Sequence, residues 1–377
     1  MVIPVYKYLT TMLFNFVSIV DWIYNDCQTP DEEMGKCKPV DYCEPILDYI
    51  KRPSNISTGI KWELRKYICK GGTATRPNVC CPQKPLMIFS RMFPEDSEII
   101  DHSSHRNIHL LPKTCGQQPS DNRIIRGTAT AIYEFPWAVA LQIRTGTTVK
   151  YGCGGSLINN RYVLTAAHCI SKDKSQVVGV RLGEHNFETD PDCAVGADGM
   201  RYCAPPYQDF EVTLDDTIVH SRYNRKTFIN DIALIRLRRP VNLTDAIAPI
   251  CLPITIDEKL NNPADTYTVI GWGTTTNSET SKILMKADVP VRFIKKCTGI
   301  TLSAKQLCAG GVNTTDACRG DSGGPLMADF LNDGVFKVIQ HGIVSMGSHL
   351  VCGKENVPTV YTKVAGYVKW ILNHLQP

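Results

Sequence analysis

A serine stands among glycines in the stretch Gly320-Asp321-Ser322-Gly323-Gly324-Pro325. Serine is ordinarily a weak nucleophile, so a hydrolase that uses one needs a base for its proton and donors for the developing oxyanion. Flanking glycines allow a tight turn and leave amide N–H groups free to point at a carbonyl oxygen. An ordinary turn is the alternative, and the choice depends on whether a base and its partner occur elsewhere.

The chain supplies a candidate base and a candidate carboxylate upstream of the serine. His168 follows Leu-Thr-Ala-Ala, and Asp231 precedes Ile-Ala-Leu. Chymotrypsin-type enzymes order His, Asp and Ser in this way, whereas subtilisins and α/β-hydrolases do not. Taken singly, His168 could be a core histidine and Asp231 a cap. Together the motifs make residues 124–377 resemble the S1 (trypsin and chymotrypsin) family of serine proteases.

The S1 resemblance implies a role for each residue. His168 would take the proton of Ser322 and return it to the leaving amine, and Asp231 would orient the imidazole. The amides of Gly320 and Ser322 would form the oxyanion hole. The implied fold is all-β, a chymotrypsin-like double β-barrel with a C-terminal helix over residues 367–375. Short segments of alternating apolar and polar residues, separated by Gly, Asn and Pro, agree with it.

Composition limits the class of protein. The chain has 377 residues, a net charge of +4 from 41 basic and 37 acidic residues, and 16 cysteines. The length indicates two or three units. So mild a charge argues against nucleic acid or a membrane surface as the main partner. The high, even cysteine count indicates an oxidising, extracellular compartment, where Asn55, Asn242 and Asn313 could be glycosylated.

Residues 1–25 are predicted to be a signal peptide. They contain an apolar stretch, Leu9–Val20, that is too short to span a bilayer as a helix. A buried N-terminal helix is the alternative, which the cysteines disfavour.

Six cysteines lie within residues 27–81. So short a segment buries too little apolar surface to fold without cross-links, and six cysteines allow fifteen pairings. Zinc is the competing interpretation, although no Cys-x-x-Cys spacing is present. The spacing, which ends in Cys80-Cys81-Pro82, resembles the clip domain of arthropod cascade zymogens. That resemblance implies the pairs Cys27–Cys80, Cys37–Cys69 and Cys43–Cys81, and a role in docking and regulation.

Residues 82–123 are predicted to be an irregular linker and activation segment, because prolines interrupt any helix. The histidine-rich run 102–109 could suggest a metal site, but a solvated linker is the simpler interpretation. Cys115 is expected to be the one structured point of the linker. By resemblance it pairs with Cys251 and ties the light chain to the catalytic domain.

Arg123-Ile124 resembles the activation site of an S1 zymogen. Cleavage after Arg123 would free an α-ammonium group on Ile124, which the resemblance pairs with Asp321. The activating protease would itself be trypsin-like, because it cleaves after arginine.

The other cysteines and an acidic loop follow the family pattern. The resemblance implies the pairs Cys153–Cys169, Cys193–Cys203, Cys297–Cys308 and Cys318–Cys352. The loop that begins at residue 183 resembles the calcium loop of trypsins. Calcium prefers oxygen ligands, which Glu184 and Asp192 would supply as carboxylates and Asn186 and Thr189 as backbone carbonyls. A plain acidic surface loop is the alternative.

The resemblance also predicts substrate preference. Asp316 lies where trypsin-like members keep a carboxylate on the floor of the S1 pocket, so substrates should present Arg or Lys. Gly347 matches a glycine of the pocket wall. Two residues depart from the pattern: Met346 replaces a usual tryptophan, and Thr359 replaces a usual pocket glycine and could narrow the slot.

The sequence therefore predicts a secreted zymogen of a trypsin-like endopeptidase in arthropod haemolymph. Its substrate would be a downstream protease or prophenoloxidase zymogen of a Toll, melanisation or developmental cascade, and a serpin would inhibit it. Neither nucleic acid nor a membrane is expected as a partner. A non-catalytic clip-protease homologue that acts as an adaptor is the main alternative, and a digestive trypsin is another.

Overall fold

The computed structural model describes residues 26–29, 34–50, 67–72, 77–82, 100–118, 128–170, 175–195, 199–256, 266–274, 280–292, 296–297, 300–311, 317–318, 320–332, 335–347 and 357–377. The chain divides into two compact units, residues 1–56 with 64–86 and residues 57–63 with 87–377. The predicted signal peptide and the predicted cleavage point after Arg123 lie outside the described residues. Among the described residues, no helix has both the length and the apolar character needed to cross a bilayer.

The first unit is a small sheet held by disulfides. Its elements are β1 Asp26–Gln28, β2 Met34–Pro39, helix α1 Glu44–Ile50, β3 Ile68–Gly72 and β4 Pro77–Pro82. The sheet order is β1-β2-β4-β3, and all its pairings are antiparallel. Disulfides join Cys27 to Cys80, Cys37 to Cys69 and Cys43 to Cys81. Cys43, Cys80 and Cys81 are buried and Cys27, Cys37 and Cys69 are half-buried. Cross-links of this kind are expected in so short a segment.

The second unit is mostly β. Its first strands are β5 Ile100–Asp101, β6 Thr128–Ala129, β7 Ala138–Thr145, β8 Thr148–Leu157, β9 Tyr162–Thr165, β10 Ser175–Leu182, β11 Cys193–Val195, β12 Arg201–Cys203, β13 Gln208–Glu211, β14 Thr217–Val219 and β15 Ala233–Arg236. The later strands are β16 Thr255–Ile256, β17 Thr266–Gly271, β18 Met285–Pro290, β19 Lys296–Cys297, β20 Ile300–Thr301, β21 Gln306–Ala309, β22 Pro325–Asn332, β23 Val335–Met346 and β24 Thr359–Lys363. Helices α2 and α3 span Ala167–Ile170 and Val368–His374.

Two antiparallel sheets of seven strands each form the body of this unit. The first-barrel sheet has the order β13-β10-β7-β8-β9-β15-β14, and the second-barrel sheet has the order β21-β24-β23-β22-β17-β18-β6. The central strands bury runs of consecutive side chains. The core includes the fully buried Leu141, Tyr162 and Leu234 of these strands and Trp137, which directly precedes β7. The predicted all-β double barrel is confirmed.

The predicted C-terminal helix is also confirmed. Helix α3 buries Val368, Ile371 and Leu372. Their spacing of three and four residues places them on one face, as an amphipathic helix requires.

The linker is more ordered than expected between residues 100 and 118. Strand β5 pairs with β16, and Asn107 Nδ2 donates to the carbonyls of Leu372 and Leu375 at the end of α3. Asn107 therefore satisfies carbonyls that a helix end leaves without partners. The expectation that Cys115 is the only structured point is wrong, because contacts distant in sequence order the segment.

The histidine-rich run packs on the same helix. His105 Nε2 donates to Asn373 Oδ1 over 3.0 Å, and its Nδ1 accepts the amide N–H of Asn107 over 3.1 Å. Both ring nitrogens of His105 are thus engaged within the protein. Cys115 is joined to Cys251 by a disulfide.

Candidate active site

Strand pairing brings His168 and Asp231 together. Thr165 of β9 lies opposite Ala233 of β15 in an antiparallel pair. His168 follows β9 within α2, and Asp231 precedes β15, so both residues emerge at the same end of the first-barrel sheet. A disulfide between Cys153 and Cys169 fixes the turn that carries the histidine.

The Asp231 carboxylate is fully buried and accepts three hydrogen bonds. Its Oδ2 accepts from His168 Nδ1 over 2.8 Å and from Ser345 Oγ over 2.5 Å. Its Oδ1 accepts from the His168 backbone N–H over 2.8 Å. An ionised carboxylate only accepts, so Nδ1 carries a proton and Nε2 of a neutral imidazole is left as the acceptor. This tautomer is the one that a general base requires.

Ser322 lies on the turn before β22, in the second barrel. Its backbone carbonyl accepts the Gly154 N–H over 2.7 Å, which ties the turn to β8 of the first barrel. Among the described residues, no hydrogen bond joins Ser322 Oγ to His168 Nε2. The Nε2 atom lies 3.8 Å from Cys169 Sγ. Such bonds are often long without substrate and shorten in the complex.

The glycines around Ser322 have backbone conformations that other residues rarely adopt. Gly320 has φ +102° and Gly323 has φ +82°, and an added Cβ at Gly320 would approach Gly273 Cα to 2.8 Å. Within the described part of the chain, the amides of Gly320 and Ser322 have no acceptor. Both N–H groups are therefore available to an external oxyanion.

Asp321 turns its side chain into the protein. Oδ1 accepts the Gly273 N–H and Oδ2 accepts the Cys318 N–H, each over 2.8 Å. Burial raises the pKa of this carboxyl to about 6, and the two amide bonds oppose that shift. No cation pairs with it among the described residues. Ile124, its expected partner, lies outside them.

Thr359 faces the predicted pocket wall. Its side chain is 1% exposed, and a Cβ added at Gly347 would lie 3.1 Å from its hydroxyl. The threonine methyl and hydroxyl thus occupy space that a glycine would leave open. Met346 packs beside Cys297, Cys308 and Val360. Asp316, the predicted floor, is outside the described residues.

Comparisons with known proteins agree with this geometry. The trypsin family model matches residues 124–371, and the model for the regulatory CLIP domain of proteinases matches residues 27–81. The chain is a clip-domain serine protease of the trypsin family. Such a protease is a serine endopeptidase.

Relatives of this clip-domain protease have similar length. Phenoloxidase-activating factor 1 of Holotrichia diomphalia is 38% identical over 364 residues, which cover 93% of each chain. Melanization protease 1 of Drosophila melanogaster is 35% identical over 384 residues, which cover 94% of each chain. The crystal structure of the Drosophila Grass clip serine protease of the Toll pathway is 32% identical, with a TM-score of 0.61 over 93% of this chain and 97% of that one.

A non-catalytic homologue would lack part of the triad. This clip-domain protease has all three residues, and its His168–Asp231 pair has the geometry described above. The adaptor alternative is therefore disfavoured.

The acidic loop of the protease buries two carboxylates. Asp192 Oδ2 accepts the amides of His185 and Asn186, each over 3.0 Å, and Thr189 Oγ1 donates to Oδ1. Glu184 Oε2 accepts from Arg181 Nη1 over 3.1 Å. Burial raises the pKa of Glu184, the Arg181 bond opposes that rise, and the nearby Asp192 charge adds to it.

The contacts of this loop agree only in part with a calcium site. Two buried carboxylates that repel each other are a donor set suited to a hard divalent cation. The Thr189 carbonyl, one of the predicted ligands, is not an acceptor within the described residues. The Asn186 carbonyl already accepts the Thr189 N–H over 3.0 Å, and Arg181 competes for Glu184.

The structure describes most of the cysteines and asparagines of the remaining predicted disulfides and glycosylation sites. Disulfides join Cys193 to Cys203 and Cys297 to Cys308. Cys318 is disulfide-bonded, whereas Cys352 lies outside the described residues. Asn242 is exposed, as a glycosylation acceptor must be, and Asn55 and Asn313 lie outside the described residues.

Among the described residues, the one grouping of three potential metal ligands is Cys153, His168 and Cys169. Its cysteines form a disulfide and offer no thiolate. It is part of the active site rather than a metal centre.

Sequence reasoning missed two features of the site. Ser345 was overlooked, although it stands two residues before the predicted wall residue Gly347. Gly271 and Gly273 were also overlooked, although a Cβ at either would collide with the Asp321 carboxylate. The Gly-Trp-Gly sequence of residues 271–273 was the available signal for the second feature.

Proposed function

We propose that this protease is a secreted zymogen that is activated by cleavage after Arg123 and then cleaves a downstream zymogen after Arg or Lys. The observation that carries the proposal is the inward-facing Asp321 carboxylate, which meets two amides and no cation among the described residues. A buried carboxylate without a counter-charge is costly. It therefore favours any cation that can reach it.

The new ammonium group of Ile124 is the cation that cleavage creates. Asp321 adjoins both Gly320 and Ser322, so its position governs the two amides of the oxyanion hole. Pairing Ile124 with Asp321 would hold the turn in the arrangement described here. Without the ammonium, the cost of burying the carboxylate favours a rearranged, inactive turn.

Catalysis would proceed by acyl transfer. His168 Nε2 removes the Ser322 hydroxyl proton as Oγ attacks the scissile carbonyl, and the Gly320 and Ser322 amides bind the oxyanion. The imidazolium is stabilised by Asp231 and gives its proton to the leaving amine. Water then repeats the sequence through His168 and releases the acid from Ser322.

The substrate should carry arginine or lysine before the cleaved bond. A carboxylate at Asp316 would pair with that cation in a site shielded from water. Thr359 opposite Gly347 supports a narrower slot than a glycine would leave, so small substrates should be cleaved slowly.

Calcium is proposed as a structural ion of the loop that begins at residue 183. Glu184 and Asp192 would hold it with their carboxylates, and Asn186 and Thr189 with their carbonyls. When bound, the ion would neutralise the two buried carboxylates. Arg181 would then be left to its second partner, Asp209, which it already contacts at 2.8 Å.

The names of the relatives support an extracellular cascade. Those proteins are called phenoloxidase-activating factor, melanization protease and a protease of the Toll pathway. For this chain we propose haemolymph as the location, with glycans at the predicted Asn-x-Ser/Thr sites. Its upstream activator would be a trypsin-like protease, its substrate a protease zymogen or prophenoloxidase, and its inhibitor a serpin. The clip domain would dock partners.

The test uses the full secreted chain, cleaved after Arg123, with candidate zymogens as substrates. We expect hydrolysis after Arg or Lys that requires prior cleavage. Ser322→Ala is the control: it should be secreted and cleaved normally but should hydrolyse nothing. Equal turnover by Ser322→Ala, or by the uncleaved wild type, would contradict the proposal.

A further inference from the structure

The loop that leads to Asp231 contains two non-glycine residues in the left-handed region. Phe228 has φ +54° and Asn230 has φ +59°. Side chains other than glycine rarely adopt this conformation, which persists only where surrounding contacts enforce it. The question is which contacts enforce it here.

One set of contacts comes from Gln306, at the start of β21 in the second barrel. Gln306 is 7% exposed. Its Nε2 donates to the backbone carbonyls of Thr227 and Phe228, each over 3.3 Å. Its Oε1 accepts the Ser303 N–H over 3.1 Å. The opposite roles of the two amide atoms fix the orientation of the side chain.

A separate contact holds the other strained residue. Tyr367 donates its hydroxyl to Asn230 Oδ1 over 2.9 Å, and Asn230 Nδ2 donates to the Arg222 carbonyl over 2.8 Å. Asn230 and Asp231 thus have supports of their own, and Gln306 acts at Phe228.

Phe228 lies against the catalytic imidazole. Its ring centroid is 6.0 Å from that of His168, and the rings are inclined at 71°. During attack Ser322 Oγ lies between His168 Nε2 and the scissile carbonyl carbon, so the substrate chain passes close to the imidazole. The side chain of the cleaved Arg or Lys would enter the pocket at Asp316, which leaves the substrate residue before it as the one nearest the imidazole and Phe228.

We propose that Gln306 is a positioning residue that restricts this substrate position to small side chains by holding Phe228 beside His168. The inference rests on the proposed cleavage after Arg or Lys and adds a second specificity element to it. Gln306 touches neither the substrate nor the reacting atoms. It acts through the backbone of Thr227 and Phe228, from the barrel opposite to the one that carries them.

Gln306→Met tests the hydrogen bonds separately from packing, because methionine has a similar volume and no donor. The assay uses the Arg123-cleaved full chain and peptide substrates with glycine or phenylalanine before the cleaved arginine. An arginine ester with no preceding residue reports the remaining chemistry. The ratio of kcat/KM for the glycine peptide to that for the phenylalanine peptide should favour glycine in the wild type and fall about tenfold in Gln306→Met. Hydrolysis of the ester should change little.

Gln340→Met is the matched control for a buried glutamine. Gln340 is fully buried and bonds Ser156 Oγ and the Gly342 carbonyl. The Gln340→Met substitution should lower thermal stability without changing the ratio of kcat/KM between the glycine and phenylalanine peptides. Phe228→Gly relieves the left-handed strain and removes the ring, so it should lower the ratio as well. Gln306→Met added to Phe228→Gly should then have no further effect.

The outcomes separate the alternatives. An unchanged ratio in folded Gln306→Met, or an equal fall in Gln340→Met, overturns the role of Gln306. If Gln306→Met does not fold, an unchanged ratio in Phe228→Gly overturns it in the same way. Failure of the wild type to cleave even the arginine ester overturns the proposed function itself, which distinguishes the two failures.

Discussion

Asp321 Oδ1 accepts the backbone N–H of Gly273 over 2.8 Å, from a position that a side chain at residue 273 would block. The residue next to the nucleophile is thus bound to the segment that follows β17. Burial raises its pKa to about 6, so at neutral pH it is a charged group in need of a cation. In the proposed activation, this carboxylate would link the Ser322 turn to the new N-terminus at Ile124.

The raised pKa of Asp321 predicts how the stability of the uncleaved protein depends on pH. The folded chain keeps this proton at pH values where the unfolded chain has released it. Stability should therefore fall as pH rises from about 4 to about 6. The loss should be at most roughly 3 kcal/mol, because a turn that rearranges and exposes the carboxylate escapes the rest of the cost. Asp321→Asn should remove that part of the dependence, which thermal melts of the uncleaved protein at each pH can measure. A variant with the same pH dependence as the wild type would contradict the assignment.

The hydrogen bond from Ser345 to Asp231 leads to a prediction about activity. Ser345→Ala removes one of three donors to the Asp231 carboxylate. The two remaining donors hold the carboxylate less firmly, so it should orient the His168 imidazole less precisely, which should lower kcat more than it changes KM. We expect kcat/KM at neutral pH to fall about tenfold, as for one charge-assisted hydrogen bond.

Thr362→Val is the control for Ser345→Ala. Thr362 Oγ1 bonds the Asp231 backbone carbonyl over 2.8 Å and does not contact the carboxylate. The Thr362→Val substitution should leave kcat nearly unchanged. An equal loss of kcat in both variants would mean that Ser345 only supports the local fold.

The position of Thr359 leads to a prediction about how fast small substrates are cleaved. Thr359→Gly should raise kcat/KM for small arginyl substrates, because it removes bulk opposite Gly347. Thr359→Ser, which loses only the methyl group, should give a smaller rise. Rates that do not rise in either variant would show that the side chain does not narrow the slot.

Calcium predicts a change in thermal stability. Chelation should lower the melting temperature and speed proteolytic nicking of the loop at 183–203, because a ligand stabilises only the state that binds it. Asp192→Asn should abolish the response to calcium. Glu188→Gln, an acid of the same loop outside the proposed ligands, should retain it. Identical melting with chelator and with excess calcium would refute the site.

The triad could be predicted because each member sits in a short local motif. His168, Asp231 and Ser322 are each flanked by residues that the local turn or strand requires. Their order alone indicates the enzyme class. The double barrel could be predicted from the resemblance to the S1 family and from short segments in which apolar and polar residues alternate.

Support from distant residues could not be predicted. Asn107 caps α3 and Gln306 holds Phe228, and each bond spans more than seventy positions in sequence. Nothing in the local sequence distinguishes these amides from exposed ones. Arg181 and Glu184 are close in sequence, so their contact could be expected. Whether the Glu184 carboxylate binds Arg181 or calcium depends on its burial, which the local sequence does not reveal.

Active-site titration tests the central claim, that the Ile124 ammonium at Asp321 builds the catalytic site. Wild type and Ile124→Gly are both cleaved after Arg123 and titrated at neutral pH. We predict a full titre for the wild type and a small fraction of it for Ile124→Gly, which lacks the apolar anchor. The wild-type titre should also fall at strongly alkaline pH, as the ammonium loses its proton; its unperturbed pKa is about 7.7–8.0, and pairing would raise it. A full titre in cleaved Ile124→Gly would contradict the account.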